Sequence, residues 1–376
     1  STRLRYRGVI RLRSGRVRRV LAERPGIHEL EVEVEGRIDR ALAYPALTGA
    51  AREGSTVLLN TTAVAEQLGT GGYHVVVAVE GVMELDPSPA GHVVKARYTP
   101  SQVKVLTVEE QDSPFRDRFE AVANLGGLPV VWVPLHSMVG AACAGAKAAG
   151  ATRVAYVMTD GAALPSAFSR QLDGLRTRGL LDATITCGQA FGGDLEAVNV
   201  FSGLLAARSI AEADVAVVAD GPGKVGTATR WGASDVASGM SLNAAGILDG
   251  RPIAALRLNF ADPSYRHYGV SPHSLTVLQD VALVSVHVPV PRLPEEQRRM
   301  VWETLKDARL EERHQLVESG GEPALELLEE RGLVPESMGR RLREEPALFL
   351  AAGAAGVLAG RMASGSARWR REEEER

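Results

Sequence analysis

Between residues 130 and 288 short apolar runs alternate with stretches of helical period, and few folds accommodate that pattern. Strands read at 130–134, 153–158, 183–186, 214–219, 252–258 and 281–288, with helices at 137–149, 165–178, 194–212, 234–248 and 272–279 between them. Runs such as Val154-Ala155-Tyr156-Val157-Met158 and Val215-Ala216-Val217-Val218-Ala219 are apolar at every position, which suits strands covered on both faces. The alternation therefore predicts a Rossmann-like parallel α/β sheet wrapped by helices. Ser271-Pro272 has the chemistry of a helix start, and Gly150 and Gly250 that of helix ends.

In such a sheet every loop that follows a strand leaves from the same edge, where ligands of open α/β folds bind. Those loops carry His136, Asp160, Cys187, Asp220, Lys224, Thr227, Arg230 and His267. The richest of them follows Asp214–Asp220. Its Gly221, Gly223 and Gly226 satisfy the spacing G-x-G-x-x-G, whose glycines let backbone N–H groups approach a phosphate. Pro222 removes one donor, the next helix begins only near Ser234, and no acidic residue closes the following strand to hold a ribose. The loop thus reads as a seat for a phosphate or carboxylate, with Gly221, Gly223, Lys224, Gly226, Thr227 and Arg230 as its ligand-binding residues, and not as a dinucleotide fingerprint.

Two of the strands end alike, in Asp160-Gly161 and Asp220-Gly221. These aspartates are candidates for acid and base, or for jointly holding Mg²⁺, against the plainer reading that each caps its own turn. His136 is a candidate base near neutral pH, and Cys187, before a helix start, a candidate nucleophile; the plainer readings are a hydrogen-bonded histidine and a buried thiol. Complete signatures of zinc proteases, zinc ribbons, serine hydrolases and P-loops are missing, and Val225 stands where a P-loop needs serine or threonine. No metal and no particular cofactor is indicated.

From Leu4 to Leu59 the period is two, with turns at Ser14-Gly15, Pro25-Gly26 and Gly36, which predicts a small antiparallel β-barrel. Arginines at 3, 5, 7, 11 and 13 alternate with apolar residues, and Glu29, Glu31, Glu33 and Glu35 form a second charged ladder. Cross-strand pairing of the two ladders explains them without a nucleic acid, and aromatics for base stacking are scarce. Further on, Gly69-Thr70-Gly71-Gly72 reads either as a hairpin turn or, with Lys95 and Arg97, as a second anion nest to which Thr70 and Gly71 contribute.

The strings Leu59-Asn60-Thr61-Thr62-Ala63-Val64, Leu68-Gly69-Thr70-Gly71-Gly72-Tyr73-His74 and Lys95-Ala96-Arg97-Tyr98-Thr99-Pro100 resemble those of a bacterial family, domain-of-unknown-function family 3866. The resemblance spans most of the chain. It implies kinship and carries no activity or catalytic residue with it.

At 376 residues the chain exceeds one ordinary core. The reading divides it into a barrel over 1–108, a linker over 109–127, the α/β domain over 128–293, a C-terminal helical segment over 294–367 and a tail over 368–376. A net charge of -3 argues against a polyanion as the partner of the whole molecule. The apolar run Ala347–Gly360 is too short to span a bilayer, and Gly353, Gly356 and Gly360 give it a small-residue face suited to a second copy of the chain. Two cysteines and no apolar leader point to the cytoplasm. The expected function is a small-molecule binder or enzyme acting on an anionic ligand at the carboxyl edge of the sheet. The alternative is a regulatory protein that meets a macromolecule through the barrel or the C-terminal helices.

Overall fold

A computed structural model describes residues 9–68, 71–161, 164–227, 229–261 and 268–365. Arg3, Arg5, Arg7, Thr70, His267 and the tail over 368–376 lie outside the described residues. The chain divides into two compact units, Ser1–Pro89 with Ala96–Lys104, and Ala90–Lys95 with Val105–Arg376.

In the first unit five strands close a barrel: β1 (Leu12–Arg24), β2 (Ile27–Val34), β3 (Arg37–Ala43), β4 (Thr56–Asn60) and β5 (Tyr73–Val79). Around the barrel the order is β1-β2-β3-β5-β4, and four of the five pairings are antiparallel. The fifth, β3 with β5, is parallel. An odd number of strands cannot alternate direction all the way round, so one parallel pair is geometrically required. Val17, Leu30, Val32, Ala41, Val57 and Leu59 fill the interior. Outside, Arg11 and Arg13 donate to opposite oxygens of Glu35 at 2.7 and 2.5 Å, Arg18 bonds Glu33, and Arg19 approaches Glu31 at 3.7 Å. The two guanidinium groups hold the Glu35 carboxyl down to about 2. Gly71, with φ +75°, lies in the turn before β5.

The second unit is built on eight parallel strands: β6 (Pro129–Trp132), β7 (Val154–Thr159), β8 (Ala183–Thr186), β9 (Leu195–Glu196), β10 (Val215–Asp220), β11 (Arg251–Ala254), β12 (His287–Pro291) and β13 (Gln315–Ser319). Their order is β9-β8-β7-β10-β6-β11-β12-β13. Helices α1 (Val139–Ala148), α2 (Arg170–Thr177), α3 (Val200–Ser209), α4 (Ser241–Ile247), α5 (Glu295–Asp307), α6 (Glu322–Glu330) and α7 (Pro346–Ala363) cover it. Val131, Tyr156, Met158 and Val217 pack under α1, α2, α6 and α7, while Val130, Val157, Ile185 and Val218 pack under α3 and α4. Alternate residues of each strand thus serve opposite faces.

The expected helix over 194–212 begins at Val200, because Asn199 Oδ1 accepts from the amides of Phe201 and Ser202 and caps it there. The last expected strand of the α/β region sits later, at His287–Pro291. Asn243 holds the preceding stretch out of the sheet, donating to Val281 O at 2.8 Å and accepting from Leu283 N at 2.7 Å. The segment read as helical from 294 contributes β13 to the sheet. Residues 109–127, read as a linker, are fastened to the second unit: Glu109 accepts from Val198 N at 2.8 Å, and Phe115 and Phe119 pack against the α3 side of the core.

Among the described residues one helix, α7, is long and apolar enough to cross a membrane, and 78% of it is buried inside the protein. Its small-residue face, expected to meet a second copy, meets α1 of the same chain. A Cβ added at Gly356 would stand 2.0 Å from Ala142 O, and one at Gly145 would stand 2.4 Å from Gly353 O. The two backbones touch, so this face is spent within the chain.

Replacing Gly356 by alanine forces these helices apart. Overpacking of this kind costs about 1–3 kcal/mol, more than the ~1 kcal/mol that alanine gains over glycine in helix propensity. Denaturant unfolding of Gly356→Ala should show a net loss of stability; an equal or higher midpoint would refute the backbone contact.

Candidate functional site

The carboxyl end of β7 continues toward β8 on one side of the sheet, and that of β10 toward β11 on the other. These two strands are neighbours, with Thr159 paired to Asp220. A crevice opens where neighbouring strands send their chains in opposite directions. Two carboxylates stand there, Asp160 just beyond the end of β7 and Asp220 at the end of β10.

Glycines make room for both. A Cβ on Gly161 would come within 2.4 Å of the Asp220 carboxyl carbon, and one on Gly188, whose φ is +66°, within 2.8 Å of the Asp160 carboxylate. Thr159 Oγ1 donates to Asp220 Oδ1 at 2.5 Å, and the Gln189 amide donates to Asp160 Oδ2 at 3.2 Å. Burial pushes the Asp220 carboxyl up to about 6, with the negative charges of Asp160 and Asp235 adding to the effect and Thr159 and Lys224 opposing it. It therefore exchanges its proton close to neutral pH.

Past Asp220 the glycine loop turns through Gly223, at φ +100°. The amides of Gly223 and Lys224 make no hydrogen bond among the described residues. Lys224 folds back to form an ion pair with Asp235, which is 1% exposed. The other oxygen of Asp235, Oδ1, has no hydrogen-bond partner among the described residues. Arg257 lies close enough for charge to act between them: Asp235 favours the protonated Arg257 guanidinium, and Arg257 disfavours protonated Lys224. Burial lowers the proton affinity of Lys224, and Asp235 counteracts that. Two cations thus surround one buried carboxylate.

The remaining loop residues are held within the loop or by Asp280. Gly226 bridges to Ala233, and Thr227 donates through both N and Oγ1 to Gly232 O at 2.6 and 3.1 Å. Arg230 donates to Asp280 at 2.5 Å with its guanidinium over the Trp231 ring.

A family model described as protein of unknown function (DUF3866) matches residues 40–356. The chain belongs to this family. No curated protein and no solved structure matches it.

For a DUF3866 chain the geometry separates the candidate residues into two groups. Asp160, Asp220, Gly221, Gly223 and Lys224 come from the switch-point crevice and the loop that leaves it. His136 and Cys187 are engaged elsewhere. The His136 ring is wedged between Tyr156 Oη, 3.1 Å from Nδ1, and Ser169 Oγ, 2.7 Å from Nε2. Because Ser169 Oγ already accepts from Leu172 N and Tyr156 donates to the carbonyls of Ala219 and Asp220, the network fits a neutral ring with its proton on Nδ1. Burial pushes this histidine down to about 4. Cys187 is 1% exposed against Gly203 and Val157, and burial pushes its thiol up to about 12, which is not the state of a nucleophile.

Thr70 and His267 lie outside the described residues, and Gly71 belongs to the barrel unit. Lys95, read as part of a surface nest, is 1% exposed inside the second unit, where it donates to Glu196 at 2.7 Å and to Ala190 O at 2.6 Å. Thr159, Asp235 and Arg257 went unread in the sequence. Asp235 looks like an ordinary first-turn acid, and neither Thr159 nor Arg257 stands in a motif.

The raised pKa of Asp220 makes stability depend on pH. The folded protein holds a proton on this group between roughly pH 4 and 6 that the unfolded chain has released, so its contribution to stability is complete below that window and is lost as pH rises through it. Above the window the ionised carboxylate costs folding up to about 3 kcal/mol. Asp220→Asn should accordingly unfold at higher temperature than the parent at pH 8, with the advantage gone at pH 4. A difference that does not change with pH would contradict the assigned titration.

Proposed function

We propose that the crevice between β7 and β10 binds a small molecule bearing a phosphate or carboxylate and that Asp220 moves a proton on it. The observation that carries the reading is the convergence of Asp160 and Asp220 at the switch point, each beside a glycine with no room for a side chain. The unbonded amides of Gly223 and Lys224 support an anion seat next to them. So does the presence of a second cation near the Lys224–Asp235 pair: a ligand anion can draw Lys224 from Asp235 while the charge of Arg257 remains close to that carboxylate.

In this reading Lys224 and the loop amides orient the anionic group, Thr159 holds the Asp220 carboxyl, and Asp160 supplies a second carboxylate to the same crevice. A carboxyl that titrates to about 6 can both accept and return a proton under physiological conditions. The two buried thiols suit a cytoplasmic protein. Recognition of a macromolecule by the barrel has less support, because Arg11, Arg13, Arg18 and Arg19 are engaged with Glu31, Glu33 and Glu35.

A panel of phosphorylated and carboxylated metabolites, screened by thermal shift, tests the proposal. At least one compound should stabilise the parent, Lys224→Ala should lose that shift, and Asp220→Asn should keep the binding while losing turnover of the same compound. An undiminished shift in Lys224→Ala would remove the loop from the site.

A further inference from the structure

The opposite, amino-terminal edge of the sheet holds a cavity of about 360 Å³. That volume lies in the range of small-molecule sites. Its exposed lining is mostly polar: Leu125 and Met362 are packed into the core beneath it, and two arginines, Arg208 and Arg251, line it. Neither guanidinium has a hydrogen-bond or acidic partner among the described residues.

The one acid in the lining, Asp214, is turned to other work: its Oδ2 accepts from Thr152 N, Thr152 Oγ1 and Arg153 N at 2.8, 2.6 and 2.8 Å. The amides of Gly126 and Gly127 are likewise taken, by Asn124 Oδ1 and Asp249 O. Hydrogen-bond donors left open toward the cavity are therefore the two guanidinium forks, whose geometry matches an oxyanion. Arg208 stands in the last turn of α3, where a cation offsets the helix dipole without needing a partner. Arg251, at the start of β11, has no such role.

We infer that this cavity is a second ligand site, independent of the carboxyl-edge crevice, which takes a small oxyanion, a phosphate or a carboxylate, on Arg208 and Arg251. It lies at the other end of the strands that carry Asp160 and Asp220. A molecule held there is out of reach of those carboxylates, so its role is occupancy and not turnover.

The test uses the full chain carrying Lys224→Ala, which removes the lysine of the proposed carboxyl-edge site. Inorganic phosphate and succinate are titrated by calorimetry. Saturable millimolar binding of at least one of them is expected, and adding Arg251→Ala or Arg208→Ala should weaken it about tenfold, as the loss of a charged hydrogen bond does. Arg251→Lys should recover part of the loss. Circular dichroism of the variants in anion-free buffer establishes that they fold, and glutamine at either position replaces alanine if one does not. Binding that survives loss of both arginines, or the absence of saturable binding of either anion, would overturn the inference. Binding seen in the parent that Lys224→Ala abolishes would also overturn it, while leaving the carboxyl-edge proposal standing.

Discussion

Parallel pairing of β7 with β10 is the constraint from which the candidate site follows. Val154 opposes Val215 and the register runs without interruption to Thr159 opposite Asp220. Every residue of both strands but Asp220 is buried, so polar chemistry can begin only where the strands end. A slip of β7 by one residue would exchange its two faces. The Tyr156 ring would then leave the α1 side for the α3 side. Its hydroxyl, which lies 3.1 Å from Ala219 O and 3.0 Å from Asp220 O, would lose the end of β10. His136 and Ser169 brace that hydroxyl from behind. Residues that look like catalytic machinery in a linear reading thus serve as a clamp that fixes where Asp220 emerges.

The same unit buries several charges, and each is matched in a different way. Lys95 is satisfied outright by Glu196 and by the carbonyls of Thr186 and Ala190. Burial raises the Glu196 carboxyl and Lys95 opposes that, which is the pattern of a closed internal pair. Such pairs are costly to break by removing one member. Around Asp235 the matching is incomplete, with two cations nearby and one oxygen left without a partner among the described residues. A closed pair fastens structure, whereas an open arrangement of charge can be rearranged by a ligand. That contrast separates Lys95 from Lys224 more clearly than exposure does.

Much of the architecture was legible because it rests on period. Apolar runs of five residues, glycine stops and a proline-led start are local signals, and they located most strands of the parallel sheet. The barrel was legible in its alternation, though not in its parallel β3–β5 closure, which is a property of strand count. What failed to show was anything set by a distant partner. The last strand of the α/β region is displaced by Asn243, β13 hides among charged helical sequence, and Lys95 is drawn into the second unit by Glu196, some hundred residues away in the chain. The aspartates of the site were visible as paired Asp-Gly strand ends. Gly161 is needed for the Asp220 carboxylate beside it, a contact across strands that no spacing encodes.

A parallel sheet also gives its two edges different electrostatic characters. Helices that cover it start near the carboxyl edge and end near the amino edge, so their positive ends favour anions at the first and their negative ends disfavour them at the second. At the carboxyl edge, where the helix ends favour anions, the Asp220 carboxyl is held by Thr159, and the proposed anion seat needs only the loop amides and one lysine. At the amino edge the helix dipoles work against an anion, and any site must supply full positive charge. Two guanidinium groups without partners meet that requirement, whereas one, placed in the last turn of α3, would serve only to offset the dipole of that helix. Arg251 is therefore the residue on which the second site turns.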